Sequence, residues 1–344
     1  MNILMLCLAS IALGPWRPQE SGTRARLRGV SAVSPEVAWA SGNGGTCLRT
    51  VDGGATWKAV ATPGDGRLDF RDVHAVDDRT AYLLSIGEGE LSRIDKTTDG
   101  GATWSLSFPN PDPKGFLDAI AFFDPDHGLA LGDPVDGRYV ILATDDGGKT
   151  WSKIGPEGMP PALPGEGAFA ASGTCLTVIP GGREAWFATG GGARSRVFRS
   201  ADRGRTWDVA DCPIRAGSAS AGIFGLAFRD ARHGVAVGGD YKKPDEAGDF
   251  IATTDDGGAT WSPAERSPRS GFRSAVAYLA GVDGPGLMTV GPSGWDRSTD
   301  GGRTWPESGE GGYHAQGFDP TGKAGWAVGE GGRIARFHPE ARKK

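Results

Sequence analysis

Short hydrophobic runs bounded by glycine or aspartate recur along the whole chain. Three of them are nearly identical, with the sequences GLALG at 128–132, GVAVG at 234–238 and GWAVG at 325–329. Runs this short do not make amphipathic helices, and the turn-forming residues between them favour tight reversals of the chain. The pattern therefore predicts an all-β protein built from many short strands.

A polar octet follows many of these predicted strands and returns six times. It begins with Ser or Thr, has Asp at its third position and Gly at its fifth, and ends in Thr-Trp. Asp can accept hydrogen bonds from its own turn, Gly adopts positive φ, and Trp can wedge between two sheets. We interpret all six copies as structural. Their aspartates are Asp52, Asp99, Asp146, Asp202, Asp256 and Asp300, and their tryptophans are Trp57, Trp104, Trp151, Trp207, Trp261 and Trp305.

The octets lie 47, 47, 56, 54 and 44 residues apart, which is the spacing of a repeat architecture. Each interval contains four predicted strands, so each is a propeller blade. A seventh unit at 313–337 has three strands and no octet, whereas residues 16–20 resemble the strand that follows an octet elsewhere. The prediction is a single seven-bladed β-propeller of four-stranded antiparallel blades, closed by the N-terminal strand completing blade 7. The octet resembles the Asp box, or BNR repeat, of sialidases and related propellers.

The N-terminal residues have the composition of an export signal. Residues 2–13 are almost entirely apolar but too few to span a bilayer. We predict an export signal over 1–14 and a propeller domain over 15–344, with the mature protein periplasmic or extracellular, soluble and monomeric. A first buried strand or a wrongly assigned start codon are the alternatives.

Composition excludes several functional classes. The net charge of −5 and pI of about 5.6 argue against a nucleic-acid partner. The five histidines and four cysteines do not have zinc-ligand spacing, the octets are not calcium loops, and no dinucleotide fingerprint is present. We therefore expect no metal and no cofactor, and we expect the cysteines after Cys7 to be small buried hydrophobes.

Strand order decides which loops share a face. The octets and the turns between the first and second strands belong to one face, which we call the box face. The long, irregular connections at 152–169, 208–222 and 238–249 belong to the opposite face, the loop face. Long loops on a rigid scaffold commonly carry function, so the loop face is the predicted binding face.

An arc of arginines is predicted at the channel mouth on the loop face. Counting back five residues from the end of each first strand reaches Arg28, Arg71 and Arg273 in blades 1, 2 and 6, and Tyr313 in blade 7 with His314 beside it. Because blades 6, 7, 1 and 2 are consecutive in a closed ring, these side chains should converge on an anionic group. The alternative is that the arginines pair with Asp72 and Asp118 on neighbouring strands.

Further candidate binding residues lie in the long loops. Glu166 follows a proline-rich stretch and is expected to be displayed over the channel. Several carboxylates on one face would permit acid-base chemistry, with loop solvation as the plain alternative. The remaining candidates in these loops are Asp133, Arg138, Tyr241, Lys242 and Lys243.

The chain resembles the photosystem II stability/assembly factor family over nearly its whole length. The resemblance rests on the Trp-x-Pro-Gln-x-Ser-Gly-Thr segment at 16–23, the Leu-Arg-Gly-Val strand at 27–30, the octets, and the Gly-Trp-Ala-Val-Gly-Glu-x-Gly segment at 325–332. It implies an assembly scaffold rather than an enzyme, with an arginine patch contacting a protein partner such as a membrane complex or one of its subunits.

Two other functional classes remain open. A sialidase-like glycoside hydrolase would use Tyr313, Glu166 and Asp72 as its catalytic set, although the Phe70-Arg71-Asp72-Val73 segment lacks the Ile-Pro of the sialidase motif and follows the first octet instead of preceding it. An extracellular glycan-binding or adhesive propeller, with an anionic or glycan ligand, is the third class.

Overall fold

A computed structural model of the chain describes residues 14–265, 271–279 and 285–338. It consists of seven four-stranded antiparallel sheets, which confirms the predicted seven-bladed β-propeller. The first strands of successive blades contact one another around a closed ring. The predicted export signal at 1–14 lies almost entirely outside the described residues.

In chain order the strands are short and the second strand of most blades is fully buried. Blades 1 to 3 consist of β2 (Leu27–Ala32), β3 (Ala38–Gly42), β4 (Thr46–Thr50) and β5 (Lys58–Ala59); β6 (Asp69–Ala75), β7 (Ala81–Ile86), β8 (Ile94–Thr97) and β9 (Ser105–Phe108); and β10 (Leu117–Phe122), β11 (Gly128–Val135), β12 (Arg138–Thr144) and β13 (Ser152–Lys153).

Blades 4 to 6 follow the same plan. The described residues also form three single-turn 3-10 helices, at Gly89–Leu91, Pro156–Gly158 and Glu330–Gly332. The strands of blades 4 to 6 are β14 (Leu176–Val178), β15 (Ala185–Ala188), β16 (Ser195–Ser200) and β17 (Asp208–Cys212); β18 (Ala221–Phe228), β19 (Gly234–Asp240), β20 (Ile251–Thr254) and β21 (Ser262–Pro263); and β22 (Ala275–Leu279), β23 (Gly286–Gly291), β24 (Gly294–Ser298) and β25 (Glu307–Gly309).

Blade 7 joins the two ends of the described chain. Its strands β26 (Ala315–Phe318), β27 (Gly325–Val328) and β28 (Ile334–Phe337) are completed by β1 (Trp16–Gln19), which pairs antiparallel with β28. Trp16 packs edge-on against Phe337, with ring centroids 5.5 Å apart. The amide oxygen of Gln19 accepts hydrogen bonds from the indole N–H groups of Trp326 (3.1 Å) and Trp57 (3.0 Å). The closing strand is thus bonded to blade 7 and to the octet of blade 1.

Each octet folds into the same turn. In blade 1, Asp52 accepts a hydrogen bond from the backbone N–H of Thr56 (2.9 Å) and another from its hydroxyl (2.6 Å). The hydroxyl of Thr50 donates to Oδ1 of Asp52 at 2.8 Å and accepts from the Gly54 N–H at 2.8 Å. Gly53 and Gly54 both have positive φ, a conformation that favours glycine, although Arg203 adopts it at the position of Gly53 in blade 4.

The octet turns share a face with the turns between first and second strands. The backbone N–H of Gly53 donates to the carbonyl of Glu36 (2.9 Å), and Gly147 bonds Asp126 in the same way (2.8 Å). The loops between second and third strands and the connections between blades therefore lie at the other end of the antiparallel strands, on the loop face.

Candidate functional site: the channel mouth

The innermost strand carries a bulge near its start in four blades. The register of pairing shifts between Leu27 and Gly29 in blade 1 and between Phe70 and Asp72 in blade 2, and blades 3 and 5 show the same shift. A bulged residue is left out of the ladder and re-aimed, which is common beside functional sites. The bulged residues are Arg28, Arg71, Asp118 and Phe224.

The residue before the bulge makes the same backbone hydrogen bond to the preceding blade in several blades. The backbone N–H groups of Leu27, Ile223, Arg273 and Tyr313 each donate to a carbonyl at the end of the second strand in the preceding blade. These residues are therefore equivalent, and the next residue in each blade corresponds to the bulge. The seven corresponding positions, which we call the mouth ring, are Arg28, Arg71, Asp118, Thr174, Phe224, Ser274 and His314.

The structure places Arg28 and Arg71 of the predicted arginine arc in the mouth ring, whereas Arg273 lies one residue before the ring position of blade 6. The counting rule reached the mouth ring at Arg28 and Arg71 but reached the preceding position at Arg273 and Tyr313. A shift of one residue along a strand moves the side chain to the opposite face of the sheet. The positions equivalent to Arg273 in other blades hold the core residues Leu27 and Phe70.

Arg273 and Tyr313 are consequently buried. The Arg273 side chain is 0% exposed and its Nε donates to the carboxylate of Asp296 at 2.5 Å. Tyr313 packs against Trp16, with ring centroids 5.7 Å apart, and its burial raises the pKa of its phenol. Neither side chain presents a surface to a partner, which corrects the expectation that they are binding residues.

A basic arc of Arg26, Arg28 and Arg71 remains at the mouth, with the ring of His314 beside it. Among the described residues, the half-buried guanidinium of Arg28 makes no ion pair and no hydrogen bond, and its Nε is fully buried. Burial, followed by the positive charges of Arg71 and Arg26, lowers the pKa of Arg28 to about 10. A partly buried cation without a counter-charge is costly, and an anion would relieve that cost.

The other members of the arc have acidic neighbours at its rim. Arg71 pairs with Asp69 (3.0 Å), and Arg26 pairs with Glu330 (3.2 Å). Glu330 also bonds the ring of His314 at 3.2 Å. Burial, followed by the charge of Arg28, lowers the pKa of His314 to about 4, so its imidazole is neutral at pH 7. The expected alternative partners, Asp72 and Asp118, do not pair with these arginines.

Residues 168–174, which we call the plug segment, lie across the mouth before β14 begins. The Ala168 N–H donates to Asp133 in blade 3 (2.9 Å), and the Ala170 carbonyl accepts from Arg71 in blade 2 (2.9 Å). The Ser172 hydroxyl donates to the Ser274 carbonyl in blade 6 (2.8 Å), and Phe169 stacks on Phe224 in blade 5 (4.0 Å between centroids). Only a segment crossing the axis can reach blades 2 and 6 together.

Glu166 is not displayed over the channel, contrary to expectation. Its side chain is fully buried in a bidentate ion pair with Arg196. The Thr189 hydroxyl donates to one carboxylate oxygen at 2.6 Å and the Leu163 N–H to the other at 2.7 Å. These bonds satisfy the carboxylate completely and anchor the loop that leads into the plug segment.

The remaining loop candidates divide into bound and free side chains. Arg138 donates to the carbonyl of Met159, and Asp133 is half-buried under the plug segment. Tyr241 is 47% exposed, and its ring meets Phe224 edge-on at 6.1 Å. Lys242 and Lys243 are exposed, and Lys243 pairs with Glu246 at 3.4 Å. This patch borders the mouth on the side of blade 5.

The three residues of the expected hydrolase set do not form one site. Asp72 is buried and accepts hydrogen bonds from the backbone N–H groups of Val73 (2.8 Å) and Ile120 (2.9 Å). Glu166 is bonded within blade 4, and Tyr313 is packed into blade 7. Each is held by separate partners on a different part of the ring.

Within the described ranges, no group of three or more His, Cys, Asp or Glu side chains is arranged to hold a metal ion. Cys47, Cys175 and Cys212 are free and buried, as predicted from the sequence. None of the helices among the described residues is long and apolar enough to cross a membrane.

Comparison with known proteins identifies relatives of two kinds. Photosystem II assembly lipoprotein Ycf48 of Synechococcus is 28% identical over 211 residues, which cover 61% of this chain and 53% of that protein. Xyloglucanase Xgh74A of Acetivibrio thermocellus is 27% identical over 249 residues, which cover 64% of this chain and 28% of the enzyme. The chain thus matches about half of the photosystem II relative and a smaller share of the xyloglucanase.

The fold has close counterparts among solved structures. A structure described as YCF48 bound to D1 peptide has a TM-score of 0.67 and 20% identity, covering 99% of this chain and 100% of that one. An ancestral GH74 enzyme has a TM-score of 0.65 and 13% identity, covering 96% of this chain and 47% of that one. Residues 69–267, more than half of the chain, match the family described as photosynthesis system II assembly factor YCF48. The chain is therefore a member of the Ycf48 family of photosystem II assembly factor-like β-propellers.

Proposed function

We propose that this protein is a non-enzymatic, exported scaffold that binds an acidic segment of a protein partner at the channel mouth. The observation that carries the proposal is the unpaired guanidinium of Arg28, half-buried between Arg26 and Arg71. Arginines held at one place on a rigid scaffold suit a carboxylate-bearing partner, because each guanidinium offers a planar fork of donors.

Membership of the Ycf48 family supports a protein partner. A structural counterpart is described as bound to a D1 peptide, and the relative from Synechococcus is named a photosystem II assembly lipoprotein. In this chain the basic arc would supply the electrostatic attraction. The exposed patch of Tyr241, Lys242 and Lys243 at the opposite rim would add specificity.

A direct test uses two fluorescent peptides, one rich in Asp and Glu and the same peptide with those residues changed to Asn and Gln. Charge reversal by Arg28→Glu with Arg71→Glu should raise the Kd for the acidic peptide at least tenfold, and wild-type binding should weaken as salt is added. Arg79→Glu with Arg183→Glu is the matched control, because both arginines are exposed in turns of the box face. An equal loss of peptide affinity in both double variants would contradict a specific binding site at the mouth.

Export of the protein is part of the proposal and has its own measurement. The apolar residues 2–13 motivate it. Protein produced in its own cell should begin near residue 15 when its N-terminus is determined by mass spectrometry, and it should fractionate outside the cytoplasm. Intact Met1 on cytoplasmic protein would contradict this part while leaving the binding proposal unaffected.

A glycoside hydrolase is the second candidate, favoured by the similarity to xyloglucanase Xgh74A. The burial and separate bonding of Asp72, Glu166 and Tyr313 argue against the sialidase type. We expect no turnover of xyloglucan or of a fluorogenic sialoside by purified protein. Turnover of either substrate by the purified protein would establish the enzyme instead.

A further inference from the structure

Three carboxyl groups meet the plug segment from below. Asp133 accepts the Ala168 N–H at 2.9 Å, and Ala170 offers its backbone N–H toward the fully buried Asp118. The carboxylate of Asp72 lies directly against Gly173, so closely that a Cβ there would fall 2.2 Å from its Oδ1. The plug segment therefore rests on acidic side chains from blades 2 and 3 along most of its length.

Little positive charge balances this cluster. Burial, followed by the charge of Asp133, raises the pKa of Asp118. Burial, followed by the charges of all three carboxyl groups, raises the pKa of the thiol of Cys175, the residue just before the blade 4 inner strand. Arg71 is the nearby cation from blade 2, but its Nε pairs with Asp69 and its Nη1 bonds the carbonyl of Ala170. Asp118 accepts no side-chain hydrogen bond that would offset a negative charge.

We propose that the plug segment is a proton-controlled gate: it closes the mouth while the carboxyl groups beneath it are protonated, and their ionisation opens it. Two buried negative charges in such an enclosure would repel each other and lack water, whereas opening would hydrate them. The proposal does not depend on the identity of any partner.

The pKa shifts have the direction that this gate requires. Burial raises the pKa of Asp72 to about 7, although hydrogen bonds from Ile120 and Val73 oppose the shift. Burial raises the pKa of Asp118 well above its usual value, with a further contribution from Asp133, whose own pKa is raised by burial. An acid whose pKa is raised in the closed state stabilises that state at low pH and ceases to do so as pH rises through the raised pKa.

For Asp72, the pH range over which the closed state loses stability runs from the ordinary pKa of 3.8 to the raised pKa of about 7. Within it, one linked proton changes the opening equilibrium about tenfold for each pH unit. Opening also breaks the bond between Arg71 and the Ala170 carbonyl. The gate would therefore release a guanidinium of the basic arc for an anionic partner as pH rises.

Cys175 offers a direct measurement, because it is fully buried and free and follows the plug segment immediately. Its alkylation rate would be mapped by mass spectrometry between pH 5 and 8 and divided by the rate of a free cysteine peptide at the same pH. The corrected rate should rise at least tenfold between pH 5 and 7. Cys47, which is buried in another blade, should show no such rise and serves as the internal control.

Asp72→Asn combined with Asp118→Asn should remove the pH dependence and leave Cys175 protected across the range. Asp211→Asn is the matched control, since that carboxylate lies in an exposed pair with Arg194, and it should keep the wild-type response. A corrected Cys175 rate that stays constant with pH in the wild-type protein overturns the gate. A double variant whose corrected Cys175 rate still rises with pH as in the wild-type protein overturns the gate as well. If the double variant does not fold, amide hydrogen exchange of residues 168–174 in the wild-type protein decides by the same criterion.

Discussion

The six octet turns and the seven positions of the mouth ring are both repeated features, but they repeat different things. In every octet the Thr hydroxyl donates to the Asp carboxylate at 2.5 to 2.7 Å, so the residues and the bonds recur together. At the mouth ring only the backbone position recurs, and the side chains there include arginine, aspartate, phenylalanine and histidine. Repetition of the residues builds the scaffold, and variation at a repeated position gives one end of it a distinct chemistry.

The two regions also differ in whether their surroundings favour the charged or the neutral form of a side chain. Hydrogen bonds from the Thr56 side chain and backbone lower the pKa of Asp52 to about 2, so its charged form is the favoured one. At the mouth, burial raises the pKa of Asp72 and lowers that of Arg28, so the charged forms of both are disfavoured. Perturbation of this second kind is typical of binding and catalytic sites, where a ligand relieves it.

Removing the closing strand should have the largest effect, because both regions need the closed ring. Deletion of residues 1–22 takes away β1, leaves blade 7 with a bare edge at β28, and exposes the ring of Phe337. The melting temperature should fall by about 10 °C or more, or the protein should aggregate, as measured by differential scanning fluorimetry and light scattering. Deletion of residues 1–13 is the control and should change neither the melting temperature nor the light scattering. An unaltered melting temperature in the longer deletion would contradict closure by this strand.

Truncation in an octet should cost stability without affecting the mouth. The Trp207 ring packs against Phe187 at 4.8 Å and its indole N–H donates to the Gly204 carbonyl at 2.9 Å. Trp207→Ala should lower the free energy of unfolding by about 3–5 kcal/mol, measured by urea denaturation. The folded fraction should bind the acidic peptide with wild-type affinity. Loss of binding at unchanged stability would mean that the box face, not the loop face, is the binding face.

Neutralising the mouth arginine should have the smallest effect on stability. Arg28→Gln removes a charge that has no counter-charge, so the free energy of unfolding should fall by no more than about 0.5 kcal/mol, while peptide binding weakens. Arg273→Gln is the matched contrast: it strands the buried Asp296 and should cost about 3–5 kcal/mol. Equal destabilisation by both changes, in parallel urea titrations, would show that Arg28 is a structural residue.

Prediction from sequence succeeded where the information is local. The bonds of the octet around Asp52 span only a few residues, so the pattern of residue types was sufficient to infer the turn and the blade. The unmatched three-stranded unit at the end of the chain and the spare strand at Trp16 were likewise enough to infer closure. The mouth required an alignment of first strands accurate to one residue, and the count missed by one at Arg273, in a blade whose first strand pairs without the bulge seen in blades 1 and 2.

The sequence by itself determined the number of blades, the closing strand, and the face on which the long loops lie, because each follows from periodicity and from the geometry of antiparallel strands. Only the tertiary structure decided that Glu166 is neutralised by Arg196, 30 residues later, and that residues 168–174 cross the mouth to Ser274, about a hundred residues later. Those contacts join distant parts of the chain through the ring. Which residues pair and which are buried over such sequence separations depends on the position of every blade in the ring, and no local sequence pattern encodes that position.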